Sequence, residues 1–248
     1  MDQSLYDSFY ELEGKHWWFV ARKKIIIRLI ECYLSRKEDN EILDIGCGTG
    51  LTMMGLKRFG AVVGLDSSPK AVGYARSRGA QVYQGTLPND LPPAWQEKFD
   101  LITLLDVLEH IEDDVQALAS IHRMLKKGGL LICTVPAYPF LWSGHDRING
   151  HKRRYMRSEL TTKVEQAGFL IKKISYYNTF LAPLIAGSRL MRKIHPKHDL
   201  PKSDVYIMPR PLNMLLKWLF ESESYVLPYV DFPFEISLIC ISARSDNP

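Results

Sequence analysis

Residues Ile42 to Gly50 read ILDIGCGTG, an apolar run carrying Asp44 and then glycines at 46, 48 and 50. A strand that ends in glycines turns sharply and bares its main chain to a ligand, an approach that any Cβ would block. The spacing separates three nucleotide chemistries. A phosphate-cradling GxxxxGK loop needs a lysine, and Leu51, Thr52 and Met53 follow Gly50 instead. A dinucleotide turn of the GxGxxG type needs glycine where Leu51 stands, although the acid expected ~20 positions on is present as Asp66. What remains is an acid, a GxGxG turn and a second apolar run, VVGLDSSP. That run ends in Asp66, whose carboxylate can reach a ribose diol, and Pro69 opens a helix behind Ser67 and Ser68.

Two later segments extend the pattern, FDLITLLDVLEHIEDD at 99 to 114 and LKKGGLLICTVP at 125 to 136. Over residues 41 to 136 the four stretches resemble, in order, the motifs of the class I S-adenosylmethionine-dependent methyltransferases of the type 11 and type 12 kind. That resemblance implies a Rossmann-like three-layer α/β sandwich. Its seven-stranded, mostly parallel sheet would run in order 3-2-1-4-5-7-6 with the last strand antiparallel. It also implies S-adenosylmethionine as methyl donor and S-adenosylhomocysteine as product. Asp44, Gly46, Cys47, Gly48 and Gly50 would meet the amino-acid part and ribose, Asp66 and Ser67 the ribose hydroxyls, and Gly85, Thr86 and Leu87 the adenine. Leu105, Asp106, Val107 and His110 would line the cofactor's other side. The acid usual after the third strand is replaced by Thr86, which leaves a carboxylate on the adenine amine to Asp90. Around Asp106 to His110 the chain is similar to the ubiquinone-biosynthesis O-methyltransferases, where an arginine of a helix before the first strand contacts the cofactor carboxylate. Arg22 in HWWFVARKK is the matching residue, and guanidinium pairs bidentately with carboxylate.

The acceptor must then be sought outside these motifs. WSGHDRINGHKRRY, Trp142 to Tyr155, collects two histidines, an aspartate, three arginines, a lysine and a tyrosine. His145 or His151 is suited to act as general base, since imidazole titrates near neutral pH. Arg153, Arg154 and Arg157 would hold an anionic acceptor, with Trp18, Trp142 and Tyr155 also against it and a solvated turn as the plain alternative. His145, Asp146 and His151 form HDxxxxH, which is no established ligand spacing, so no metal is expected. Adjacent Trp17 and Trp18 cannot both face a core from one helix, and one of them, taken as Trp18, would lid the pocket. His110 has a second reading as a helix cap.

These residues need a scaffold, and the apolar periodicity supplies one. Strands are expected near 41–45, 61–65, 81–84, 99–105 and 129–135, with helices near 50–58, 69–78 and 114–126, an alternation that implies right-handed parallel crossovers. A helix covers 19–35 ahead of them, another covers 157–167 with Ser158 as its N-cap, and FLIKKISYYNTF and FEISLICISAR read as the last strands. The whole, 1–248, is read as one domain with cap helices in 1–36 and a helical insertion in 178–233. Within that insertion Phe180–Met191 and Leu212–Phe220 are helix-like, joined by KIHPKHDLPKSD. They would cap the core, or serve as a lid or membrane-surface contact aided by Arg189, Arg192, Lys193 and Lys197.

Composition excludes little beyond this. Of 248 residues 46% are apolar, ample for a core, and a net charge of +4 falls short of a nucleic-acid binder's basic signature. Four cysteines without CxxC spacing suit reduced thiols in the cytoplasm, and neither a leader nor a ~20-residue apolar span is evident. The expected function is methyl transfer by in-line displacement to a small, anionic or lipid-like acceptor, at oxygen, with peripheral membrane association as an option. An NAD(P)-binding Rossmann oxidoreductase, a methyltransferase acting on a macromolecule and a non-catalytic nucleotide-binding module are the alternatives. LLDVLEH lacks the acid or amide, two prolines and aromatic of base-amino methylation, which argues against nucleic acid.

Overall fold

The computed structural model describes residues 5–35, 37, 39–181 and 207–245. Strands β1 (Glu41–Ile45), β2 (Ala61–Asp66), β3 (Gln81–Gln84), β4 (Phe99–Leu105), β5 (Leu125–Pro136), β6 (Phe169–Tyr177) and β7 (Ser237–Arg244) form one sheet in the order β3-β2-β1-β4-β5-β7-β6. The first five pair in parallel, and β7 runs antiparallel to both β5 and β6. The expected order and the reversed last strand are both present.

Helices α3 (Leu51–Leu56), α4 (Pro69–Ser77) and α5 (Asp114–Met124) make the crossovers, and α7 (Arg157–Gln166) leads into β6. Because helices cover both faces, the strands are apolar throughout rather than alternating: FDLITLL of β4 is buried along six of its seven residues. Two apolar clusters result. One packs α5 and α7 against Leu43, Ile102 and Cys133; the other packs α2 (Trp17–Tyr33) against Ile42, Leu101 and Ile132. Alternate residues of the same strands feed opposite clusters, as the pleat requires.

The boundaries need correction at two points. Helix α7 starts at Arg157 with Met156 as N-cap, so Ser158 is inside the helix rather than capping it. Tyr155 is still bridged to Ala137, and the helix begins directly after that bridge. Strand β5 starts at Leu125, four residues before the expected position, since Leu125 already pairs with Phe99. A further helix, α1 (Leu5–Leu12), precedes α2.

Of the expected insertion, Phe180–Met191 beyond Leu181, the linker and Arg189, Arg192, Lys193 and Lys197 lie outside the described residues. Leu212–Phe220 is part of α8 (Arg210–Val226), which packs on α2. One face caps the core as expected: Phe220 is wholly buried, with its ring 6.1 Å from those of both Trp17 and Tyr177. The opposite face exposes Met214, Leu215 and Trp218. No helix among the described residues is long and apolar enough to cross a membrane.

This one-sided docking predicts unequal costs along α8. Phe220→Ala should lower unfolding free energy by ~3–5 kcal/mol through the cavity it leaves, whereas Trp218→Ala should change it by no more than ~0.5 kcal/mol. Urea denaturation of the two variants checks this, and similar losses would mean that α8 is docked by another face.

Candidate active site

In an open parallel sheet ligands sit beyond the carboxyl ends of the strands where the strand order reverses, here between β1 and β4. A cavity of about 1110 Å³ occupies that position. Its walls hold Asp44, Gly46, Cys47, Gly48, Asp66, Ser67, Gly85, Thr86, Leu87, Leu105, Asp106, Val107 and His110, all expected there. They also hold Tyr6, Phe9 and Glu13 of the N-terminal segment, which sequence reasoning reached only as unspecified cap helices. Trp17 and Trp18 both border the cavity; Trp17 also packs on Phe220, while Trp18 lies 5.0 Å beneath the Arg22 guanidinium.

The glycine loop is tied down by its neighbours. Gly46 N–H donates to the Leu65 carbonyl at 2.7 Å, and Asp66 accepts from Gly48 N–H at 2.8 Å and Ser68 N–H at 2.9 Å. Burial pushes the Asp66 carboxyl up, and those two backbone donors oppose the shift. Gly48 has φ +54°, and a Cβ built on it would meet nothing within 4 Å, so its bare face is open space on the cavity wall. Gly50 is a correction. It borders no part of the cavity; its φ of +86° and its contact with Ala75, 2.9 Å from where a Cβ would stand, let α4 pack against the loop.

Asp44 is buried under the loop and accepts from Thr103 Oγ1 at 2.6 Å. Burial pushes its carboxyl up to about 7. Asp90 is the second correction. Its carboxylate accepts from Thr86 N–H at 2.9 Å and Thr86 Oγ1 at 2.6 Å, so it closes the turn after β3 rather than bordering the cavity.

Arg22 lines the cavity, but its terminal nitrogen is 2.5 Å from Asp106 and 3.1 Å from Thr134 Oγ1. In the structure its terminal nitrogen is thus engaged by an internal carboxylate. Arg22 Nε is buried there without a hydrogen-bond partner. Asp106 takes φ +56°, a conformation that aspartate tolerates better than most residues and that concentrates at functional sites.

The other half of the cavity is built from the 3-10 turn Leu108–His110, helix α6 (Gly144–Asn149) and the loop behind it. Asp146 organises this region. Wholly buried, it accepts from Ser143 N–H at 2.8 Å and Arg154 Nε at 2.8 Å, and pairs with His151 Nδ1 at 2.9 Å. These partners hold its carboxyl well below the usual range despite burial. His145 and His151 both border the cavity, and His145 Nε2 is 2.9 Å from the Asn149 amide.

Three acceptor expectations fail here. Tyr155 is wholly buried in the core and donates to Asp114 at 2.8 Å; Arg153 binds Asp114 at 3.0 Å and the Glu112 carbonyl at 2.8 Å; Trp142 is half-buried off the cavity. The reason is alternation. Residues 153 to 155 extend beside Ala137, so Arg153 and Tyr155 turn to α5 while Arg154 turns the other way and lines the cavity. Arg154 is itself committed, to Asp146 and the Ala137 carbonyl.

Glu109 was passed over. It is wholly buried on the cavity wall, neither carboxylate oxygen has a hydrogen-bond partner, and burial pushes it well up. Glu109, His110 and His151 offer one ligand atom each, all within 4.8 Å of one another, a different set from the HDxxxxH string. Its position between Leu108 and His110 in a turn, not a helix, is a signal that local periodicity could not supply.

Comparison with known proteins agrees with this geometry. Residues 43–133 match a family described as a methyltransferase domain. A ubiquinone biosynthesis O-methyltransferase of Cereibacter sphaeroides is 38% identical over 99 residues, 38% of this chain and 40% of that protein. One from Aeromonas salmonicida is 29% identical over 172 residues, 62% of this chain and 71% of that protein. The matched stretch thus spans about two fifths of the length of the first such relatives, 40% and 41% in two cases. Among solved structures, a chain of the complex between the Haloferax volcanii Trm112 methyltransferase activator and a methyltransferase superposes with TM-score 0.61 at 19% identity, covering 99% of this chain and 96% of that one. An S-adenosylmethionine-dependent methyltransferase of Mesorhizobium loti gives 0.57 at 17%, covering 87% and 95%. The [4+2]-cyclase SpnF gives 0.56 at 18%, covering 90% and 80%, so the fold alone does not name a reaction.

The buried Asp44 makes a pH prediction. Its carboxyl titrates near 7 in the fold against 3.8 ordinarily, so folding takes up a proton between those values and this residue's contribution to stability falls as pH rises through them. Asp44→Asn keeps an acceptor for Thr103 and removes the titration. From about pH 5 to about pH 8 the wild-type Tm should therefore fall more steeply than the variant's; parallel curves in thermal denaturation would refute the assignment.

Proposed function

We propose that this chain, whose residues 43–133 match a methyltransferase-domain family, is a class I S-adenosylmethionine-dependent methyltransferase that binds S-adenosylmethionine in the glycine-loop half of the cavity and passes its methyl to oxygen of a small acceptor in the other half. The observation that carries this reading is Gly48, whose missing Cβ leaves open space in the wall of a large cavity at the strand-order reversal. A second polar feature fits the same group. Arg22 Nε is a buried donor without a partner, suited to the carboxylate of the cofactor's amino-acid part while the terminal nitrogen stays on Asp106.

When bound, S-adenosylmethionine supplies a sulfonium methyl already activated for in-line displacement. The chain's own contribution is alignment and exclusion of water, and alignment alone is worth up to ~7–11 kcal/mol of barrier. Asp66, on the wall beside Gly48, is the group for the ribose hydroxyls, with Ser67 next to it. Gly85, Thr86 and Leu87 flank the base, and the Thr86–Asp90 bonds hold that turn. Leu105 and Val107 face the cofactor from β4's end. Tyr6, Phe9 and Trp18 line the cavity on its N-terminal side, and Trp18 with Arg154 borders the acceptor half.

His151 is the better of the two expected bases. Asp146 holds its Nδ1 and so fixes the ring, whereas Asn149 engages Nε2 of His145. Oxygen as the accepting atom, and an acceptor of ubiquinone-precursor type, small and lipid-like, are favoured by the two O-methyltransferase relatives.

Gly48→Ala and Asp66→Asn should each raise the Kd for S-adenosylhomocysteine at least ~10-fold, worth about 1.4 kcal/mol, with cooperative unfolding retained. Isothermal titration measures this. Affinities equal to wild type in both variants would remove the cofactor from this loop.

A further inference from the structure

Asn178 is a polar side chain that neither the sheet nor the cofactor half uses. It follows Tyr177, the last residue of β6, and stands where β5, β6 and β7 come together: Tyr177 pairs with Ser237, and Ser237 with Pro136. Pro136, Asn178, Ile236 and Ser237 all border the cavity. In the strand order these positions lie beyond β4 from the glycine loop, so they belong to the acceptor half. Asn178 is 1% exposed, and among the described residues neither its amide nitrogen nor its amide oxygen has a hydrogen-bond partner. A buried carboxamide without partners carries its full desolvation cost, and such a group in a cavity wall calls for a ligand that relieves it.

The backbone shows that this placement is enforced. Asn178 takes φ +77°, in the left-handed region that asparagine tolerates better than most residues. Its N–H donates to Glu223 Oε2 at 2.6 Å, and the Phe180 N–H donates to Glu223 Oε1 at 2.9 Å. Glu223 is wholly buried on α8, so a distant helix holds the turn while the side-chain amide stays unengaged. Backbone held in a sparsely populated conformation concentrates at ligand-contacting positions.

The charges nearby select the kind of ligand. The arginines and lysine that border the cavity are taken: Arg22 by Asp106 at 2.5 Å, Lys152 by Glu112 at 2.5 Å and Arg154 by Asp146 at 2.8 Å. Glu109 and Asp113 add acids to the same wall. An anionic ligand would thus be desolvated without an uncommitted arginine or lysine to receive it among the described residues. A carboxamide, with two donor hydrogens and one acceptor oxygen and no charge, suits a neutral group that can both donate and accept. We propose that Asn178 is the specificity-determining residue of the acceptor half and anchors an uncharged carboxamide or hydroxyl of the ligand in preference to a carboxylate. That this ligand is the methyl acceptor rests on the methyl-transfer reading; the neutral subsite does not.

The test uses four probes on one phenyl ring, suited to a cavity bordered by Trp17 and Trp18. Benzamide, benzyl alcohol, benzoate and toluene are titrated into the full chain, with and without S-adenosylhomocysteine, and followed by ligand-observed NMR. Wild type should bind benzamide or benzyl alcohol saturably and at least ~10-fold more tightly than benzoate or toluene, because a site built around a hydrogen bond rejects the analogue that lacks it. The tighter of the two tells a carboxamide-bearing ligand from a hydroxyl-bearing one. Asn178→Gly, at ease at this φ, and Asn178→Asp, which keeps the shape but exchanges the donor for an acceptor, should each remove the preference over toluene and leave S-adenosylhomocysteine affinity unchanged. Circular dichroism checks both folds, and Asn178→Asp decides if Asn178→Gly does not fold. Benzoate bound as tightly as the neutral probes, no saturable binding of either neutral probe, or a preference over toluene that survives in the variants overturns the proposal. S-adenosylhomocysteine titrated alone separates the two readings: a neutral-probe preference without cofactor binding supports the subsite and sinks methyl transfer, whereas cofactor binding without that preference does the reverse.

Discussion

The parallel pairing of β1 with both β2 and β4 is the constraint on which the site depends. The chain leaves β1 on one side and leaves β4 on the other, so α3 and α5 diverge and the carboxyl ends of the two strands stay uncovered. The glycine loop then has to turn within a few residues, close beside Val107 and under α4. Gly46 and Gly50 serve that packing, through Val107 and Ala75, whereas Gly48 alone offers bare backbone to a ligand. Three glycines of one motif thus have two different physical jobs.

Paired carboxylates organise what the loop does not. Asp66 ties the loop to the start of α4, Asp106 holds Arg22 at the cavity edge, and Asp146 gathers Ser143, His151 and Arg154. Each of these is compensated by donors, which is what makes it tolerable in a low-dielectric setting. Glu109 departs from that pattern on the same wall, and the departure is informative because the other acids show how completely this fold can satisfy a carboxylate.

Helix α2 packs on α8 as well as on the sheet. Trp17 packs on Phe220, the Asn213 side chain accepts from Trp17 N–H at 3.1 Å, and Asn213 donates to the Lys15 carbonyl at 3.0 Å. A cavity roof made by Tyr6, Phe9 and Trp18 is therefore supported from a segment some 200 residues away, 196 for the Trp17–Asn213 bond. Sequence periodicity identified the helices but had no means of pairing them.

What the sequence determined by itself was the succession of strands and helices and the glycine-loop wall of the cavity, while the sheet order was implied by the resemblance those motifs carry. The succession and the wall follow from short-range features: apolar strands, glycine turns, and acids at strand ends within one or two elements of each other. Tertiary structure decided the rest. Whether Arg153, Arg154 or Tyr155 reaches the cavity turned on one residue of alternation beside Ala137, a phase that composition does not carry. The joining of Glu109 and His110 to His151 came from two loops packed together by the Glu109 carbonyl accepting from Lys152 N–H at 2.8 Å, a contact with no local signature. Local patterning names what one stretch of chain can do alone; the acceptor side is made of stretches that mean little until long-range packing sets them side by side.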